Sequence, residues 1–272
     1  MRKAIASLAL AAFVATPFLA ESAASAETFR LAGTGGGMGM AERVAAAYAV
    51  ATGATIEIIP GLGSSGSVKA TGDGAIELAI SSRPLKPAET ALGLTAVLFA
   101  RTPMVFVTSH PRPPGLASAD IPGIFAASDP RWPDGSPINI ILRTASDTDV
   151  AIAEQYFPGL AEALEVARQR PEVPVTPTDQ DNATAAEELP GSFVHSGLSQ
   201  MVTEKRNLRM VALDGVEPTL ETLESGAYPY EKPFYLVYAA KTADAAEGLL
   251  RFLRSEEGRA VLRESGSLPV TE

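Results

Sequence analysis

Apolar and polar residues alternate over residues 28–32, with Phe29 and Leu31 set against Thr28 and Arg30, which is the period-two signature of a strand. A glycine-rich stretch follows. An Ala-rich segment, residues 41–51, then reads as a helix stopped by Gly53. The same sequence of elements recurs. Residues 55–59 form the next expected strand, a Gly/Ser loop follows, and a short helix leads to a third strand at 76–80, which enters Ser81-Ser82-Arg83-Pro84. Strand, loop and helix in this order predict an α/β fold with a parallel sheet, and ligands of such sheets sit beyond the carboxyl ends of the strands.

The second half repeats the pattern less regularly. Residues 97–99 and 104–108 are a long apolar stretch expected to cross between lobes, and Pro-rich residues 110–115 mark a boundary. A short helix is expected at 121–126. A buried strand at 138–142 runs into the polar loop Arg143-Thr144-Ala145-Ser146-Asp147-Thr148, and a helix continues to Phe157. Residues 171–177 are a proline-spaced loop; 192–195 and 209–212 read as strands. The strongly apolar run 233–239 reads as a strand returning to the first lobe, and 243–254 and 256–264 are amphipathic helices by the i, i+3, i+4 rule.

Two loops carry the chemistry. Gly61-Leu62-Gly63-Ser64-Ser65-Gly66-Ser67 and Gly33-Thr34-Gly35-Gly36-Gly37 each follow an expected strand. Glycines allow tight turns and close approach to a ligand, and amides and hydroxyls gathered at a helix N-terminus attract an oxyanion. Gly61-x-Gly63-x-x-Gly66 formally satisfies a dinucleotide fingerprint, but a cytosolic cofactor does not suit an exported chain. Export is read from Arg2 and Lys3, the apolar run 4–20 and the small-residue site Ala24-Ser25-Ala26. Residues 1–26 are therefore expected to be a signal peptide cleaved after Ala26, delivering the protein to the periplasm.

A formal charge of −10 over 272 residues argues against nucleic acid and anionic membranes as partners. With no Cys and two separated His residues, His110 and His195, neither a disulfide framework nor a tetrahedral metal site is expected. No cofactor and no catalytic residue are assigned. Ser64, Ser65 and Ser67 miss the G-x-S-x-G spacing, and Lys69 lies one residue too far from Ser65 for S-x-x-K. Asp129, Asp134, Asp179 and Asp181 read as solvated turn acids. Trp132 reads as a surface loop residue or a cleft wall. Arg83 reads as a cleft cation or a surface residue, and Arg168 lies on a polar helix face.

Taken in order, these pieces resemble the periplasmic phosphate-binding proteins of ABC transporters and their solute-binding superfamily. The motifs concerned are the glycine loop, Gly63-Ser64-Ser65-Gly66-Ser67, Leu78-Ala79-Ile80-Ser81-Ser82-Arg83-Pro84-Leu85, Arg143 before Ser146-x-Thr148, Ser225-Gly226-Ala227-Tyr228-Pro229, Pro233-Phe234-Tyr235-Leu236-Val237, and the C-terminal Ser255-Glu256-Glu257-Gly258 and Gly266-Ser267-Leu268-Pro269. The resemblance implies a two-lobed periplasmic binding protein fold (type II) with two hinge strands and the ligand between the lobes. It divides the chain into lobe 1 (27–104), lobe 2 (105–232) and a return segment of lobe 1 (233–272). It implies a monomer that captures a small oxyanion, phosphate first, for an ABC permease, and it implies ligand contacts at Gly37, Met38, Ser64, Ser82, Arg143, Ser146, Asp147 and Thr148. The competing readings are a sensory or surface-interaction domain on the same fold and an exported hydrolase.

Three positions depart from the family pattern. Gly37-Met38 replaces the usual Thr-Phe, Ser82 replaces an acid that accepts the proton of hydrogen phosphate, and Asp147 replaces a glycine. Two readings of Asp147 stand: a proton acceptor moved across the cleft, or an early helix residue facing solvent.

Overall fold

The computed structural model describes residues 27–270; the expected signal peptide lies outside them. Strands β1 (Thr28–Gly33), β2 (Thr55–Ile59) and β3 (Leu78–Ser81) are parallel, with β1 between the other two. Helices α1 (Met38–Thr52) and α2 (Gly63–Gly72) connect them. Helix α1 presents Met40, Ala41, Val44, Ala45 and Tyr48 to the sheet, a stripe that recurs at helical spacing. A short helix α3 (Pro87–Ala91) precedes β4 (Leu94–Thr108).

Strand β4 is one unbroken crossing of fifteen residues. Its first part pairs antiparallel with β10 (Glu231–Ala239) up to Pro103, and Met104–Val107 pair with a different strand, β8 (Ser192–Gly197). Proline lacks the N–H a ladder needs, so the exchange of partners falls where the chain has no donor to lose. The first part of β4 packs into one set of apolar clusters, with α1 and β1–β3; Met104–Val107 pack into another, with Phe106 stacked on Phe193 at 4.8 Å. These two cores are the two lobes.

Lobe 2 contains α4 (Ile121–Ala126), β5 (Asn139–Ile140), β6 (Leu142–Arg143), α5 (Thr148–Tyr156), α6 (Leu160–Arg168), β7 (Val175–Thr176), α7 (Asp179–Glu188), β8 (Ser192–Gly197), α8 (Leu198–Glu204), β9 (Arg209–Met210) and α9 (Leu220–Glu224). The expected single strand at 138–142 is split at Ile141: β5 pairs with β8, whereas β6 leaves the main sheet to pair with β7. Strand β10 (Glu231–Ala239) returns to lobe 1 between β3 and β4, and α10 (Ala243–Arg254), α11 (Glu256–Glu264) and β11 (Leu268–Pro269) complete the chain. Trp132 is 2 % exposed and lies against Phe193 in the lobe 2 core. Neither surface position expected for it holds, because its indole closes the apolar cluster beneath the 129–136 turn. Among the described residues no helix is long and apolar enough to cross a membrane.

Candidate functional site

The carboxyl ends of β1, β2, β6 and β7 open onto one cavity of about 220 Å³ between the lobes. Lobe 1 lines it with Thr34, Gly35 and the segment Gly61–Ser65. Lobe 2 lines it with Arg143, Thr144, residues 146–149 and residues 177–180. Four helix starts therefore meet there among the described residues: the 3₁₀ turn Gly35–Gly37 that leads into α1, and the first turns of α2, α5 and α7. The first N–H groups of a helix lack intrahelical partners, and its N-terminus carries about half a positive charge.

The Gly/Ser loop reaches this place by its glycines. Gly61 (φ +82°) and Gly63 (φ +64°) are both left-handed, a conformation that other residues rarely take. The loop delivers Ser64, 4 % exposed, whose Oγ accepts from the Ser82 amide at 3.1 Å. No side chain caps α2, so its first turn faces the cavity uncapped. Arg83 approaches the rim of the cavity, donating to Ser65 Oγ at 3.2 Å, but Glu89 holds it with two contacts of 2.7 and 2.8 Å. The same contacts hold the Glu89 carboxyl below the usual carboxylate range.

The lobe 2 wall is charged. Arg143, 4 % exposed, donates to Thr176 O at 3.0 Å and to Asp147 Oδ2 at 2.6 Å, and it lies 3.5 Å from Asp179 Oδ1. Asp147 is the N-cap of α5, its other oxygen accepting from the Asp149 amide at 2.9 Å. The solvent-facing reading drawn from the sequence is thereby corrected. Asp147 does not face solvent, and its two oxygens are engaged by Arg143 and the helix it caps. Asp149 pairs with Lys232 at 2.5 Å, with side chains 6 % and 1 % exposed. Burial opposes the charge on Lys232, but Asp149, then Asp179 and Asp147, outweigh it and raise the lysine above its ordinary value. His195 is buried nearby, and its Nε2 has no partner among the described residues. Desolvation depresses its pKa, against the pull of Asp149 and Asp147.

Asp179 is the correction of largest consequence. The sequence reading made it a solvated turn acid. It opens α7, and its Oδ2 accepts from the Gly36 amide of lobe 1 at 2.7 Å. Beside it, Gln180 Nε2 donates to Gly35 O at 3.0 Å.

Of the residues named from sequence, Ser64, Arg143, Ser146, Asp147 and Thr148 line the cavity. Gly37, Met38 and Ser82 do not. The Gly37 amide donates to Thr34 O, Met38 packs in the lobe 1 core, and Ser82 lies wholly buried behind Ser64. Gly36 supplies the cross-cleft amide in their place. Arg168 is not on an idle polar face: it donates to the Arg143 carbonyl at 2.9 Å. Sequence reasoning missed Lys232 and Asp149. The signal for Lys232 was a lysine directly before the apolar expected strand 233–239, which the observed β10 extends to include; Asp149 offered none beyond its place in a first helical turn.

A model of the PBP superfamily domain matches residues 20–257. The chain belongs to this superfamily. Its fold agrees: a structure from Clostridium perfringens, described as a phosphate ABC transporter substrate-binding protein with bound phosphate, is similar at a TM-score of 0.78 and 21 % identity, covering 90 % of this chain and 100 % of that one. The regulatory domain of MetR, a LysR family regulator from N. meningitidis, shares the PBP fold at a TM-score of 0.54 and 12 % identity, covering 91 % of this chain and 100 % of that one. In sequence, the phosphate-binding protein PstS 2 of Streptococcus agalactiae is 25 % identical over 75 residues, 27 % of this chain and 26 % of its own. The match thus spans about a quarter of that relative's length.

Proposed function

We propose that this PBP superfamily protein is an exported solute-binding component that captures a small oxyanion, phosphate first among candidates, and presents it to an ABC permease. It acts as a monomer without covalent chemistry. The observation that carries this reading is the convergence of helix N-termini from both lobes, together with Arg143, on a single cavity. Such a site holds an anion mainly by fixed dipoles, and a guanidinium adds a rigid fork of donors. The phosphate bound in the C. perfringens relative and the PstS 2 similarity support phosphate.

In this reading the hinge strands β4 and β10 divide the chain near residues 104 and 232. Lobe closure buries the ligand against α2, Ser64, Ser146, Thr148 and Arg143. Export by residues 1–26 places the protein in the periplasm.

The test is a thermal-shift screen of the mature chain against phosphate, sulfate, molybdate, tungstate, carboxylates and phosphonates. A ligand at a hundred times its Kd stabilises the folded state by about 2.7 kcal/mol, so phosphate is expected to raise the melting temperature by several degrees. A melt that no oxyanion shifts would refute the reading.

A further inference from the structure

Asp179 makes contacts of both kinds that an oxyanion needs here, one from each wall. One carboxylate oxygen takes the Gly36 amide of lobe 1 at 2.7 Å, and the other faces the Arg143 guanidinium of lobe 2 at 3.5 Å. A carboxylate is itself an oxyanion. We infer that Asp179 is the resident occupant of the anion cradle. In the ligand-free molecule it holds the first glycine loop against lobe 2, and an incoming oxyanion takes Gly36 and Arg143 by displacing it. This inference rests on the oxyanion reading above and adds what the ligand competes with.

Three further observations support it. The first glycine loop is shaped for this carboxylate: a Cβ on Gly35 would collide with Asp179 Oδ2, so only glycine lets the acid approach. The contact joins elements 143 residues apart, and Gln180 reinforces it across the same gap. The charges also do not balance. Asp147 has Arg143 at 2.6 Å and Asp149 has Lys232 at 2.5 Å. Asp179 is the third carboxylate of the cluster, and beyond the Gly36 amide its ion-pair contact among the described residues is the longer one to Arg143. It is the acid that can leave with the least loss. An oxyanion that arrived with Asp179 still in place would meet a like charge a few ångströms away in a site largely shielded from water, where such repulsion is strong. Once displaced, the carboxylate remains in the first turn of α7, where a negative charge is favoured.

The experiment compares wild type with Asp179→Ala and with the near-isosteric Asp179→Asn, each checked for folding by circular dichroism. Calorimetric titration with inorganic phosphate is expected to show about tenfold tighter binding in both variants. Equal or weaker binding would overturn the inference, because a residue that helps to hold the ligand loses affinity when removed. Small-angle X-ray scattering of the ligand-free proteins keeps the two readings apart. If neither wild type nor variant binds phosphate, the oxyanion reading fails, and scattering alone decides the role of Asp179. A larger radius of gyration in Asp179→Ala then supports a cross-cleft latch, and an unchanged one overturns it.

Discussion

The two walls of the cleft solve one problem by different means. Lobe 1 presents neutral donors: the uncapped start of α2, the loop serines and the Gly36 amide, while its nearby cation, Arg83, is paired with Glu89. Lobe 2 presents charges, but they are coupled to one another, Arg143 with Asp147 and Asp179, and Asp149 with Lys232 from the hinge strand. Backbone dipoles do not titrate, and both walls offer them, so in the proposed reading lobe 1 attracts an anion by dipoles alone, whereas lobe 2 adds paired charges to the starts of α5 and α7. In the same reading the paired charges of lobe 2 set the cost of entry.

The largest expected effect lies on the charged side. Lys232→Met should lower the unfolding free energy by about 3–5 kcal/mol, because it leaves Asp149 buried without its partner. The double variant Lys232→Met/Asp149→Leu should recover much of that loss. Urea denaturation measures both, and failure of the double variant to recover would show that the pair is not the source.

Arg143→Ala comes next. A hydrogen bond to a charged group contributes about 1.5–3 kcal/mol, and phosphate affinity should fall by the upper part of that range. Arg251→Ala, on the exposed face of α10, should leave affinity unchanged. Equal titrations of the two variants would remove Arg143 from the site. Arg168 is unsuitable as the control because it supports the Arg143 backbone.

His195 sharpens the comparison through pH. Its folded-state pKa lies below its ordinary value of 6.5, so the unfolded chain binds the proton more readily. Stability is then fully present above about pH 6.5 and declines as pH falls, by at most about 1.4 kcal/mol per pH unit for one proton. Melting temperatures between pH 7.5 and 5.5 should show this slope in wild type, and His195→Gln should flatten it. The carboxylates that Arg partners hold low, such as Glu89 and Glu77, act only at more acidic pH. The smallest effect belongs to lobe 1: Ser64→Ala removes the acceptor of the Ser82 amide and should cost about 1 kcal/mol of stability.

The fold was readable because its signals are local. Period-two strands followed by glycine loops placed β1, β2 and α2, and amphipathic spacing placed α10 and α11 at their observed bounds. The loop after β2 led to Ser64, whereas Arg143, Ser146 and Thr148 came from the resemblance to the phosphate-binding proteins; all four line the cavity. What the sequence hid depends on contacts between distant segments. Asp179 looks like any turn acid until α7 is laid across the cleft from Gly36. Gly37 looked like an anion donor until its amide was seen closing the 3₁₀ turn on Thr34. Lys232 has a use only once β10 passes under Asp149.

The most direct test of the central claim is calorimetric titration of the wild-type mature chain with inorganic phosphate at neutral pH. The account predicts saturation at one phosphate per chain, weakened by Arg143→Ala. A flat thermogram with phosphate and with the other oxyanions would contradict it.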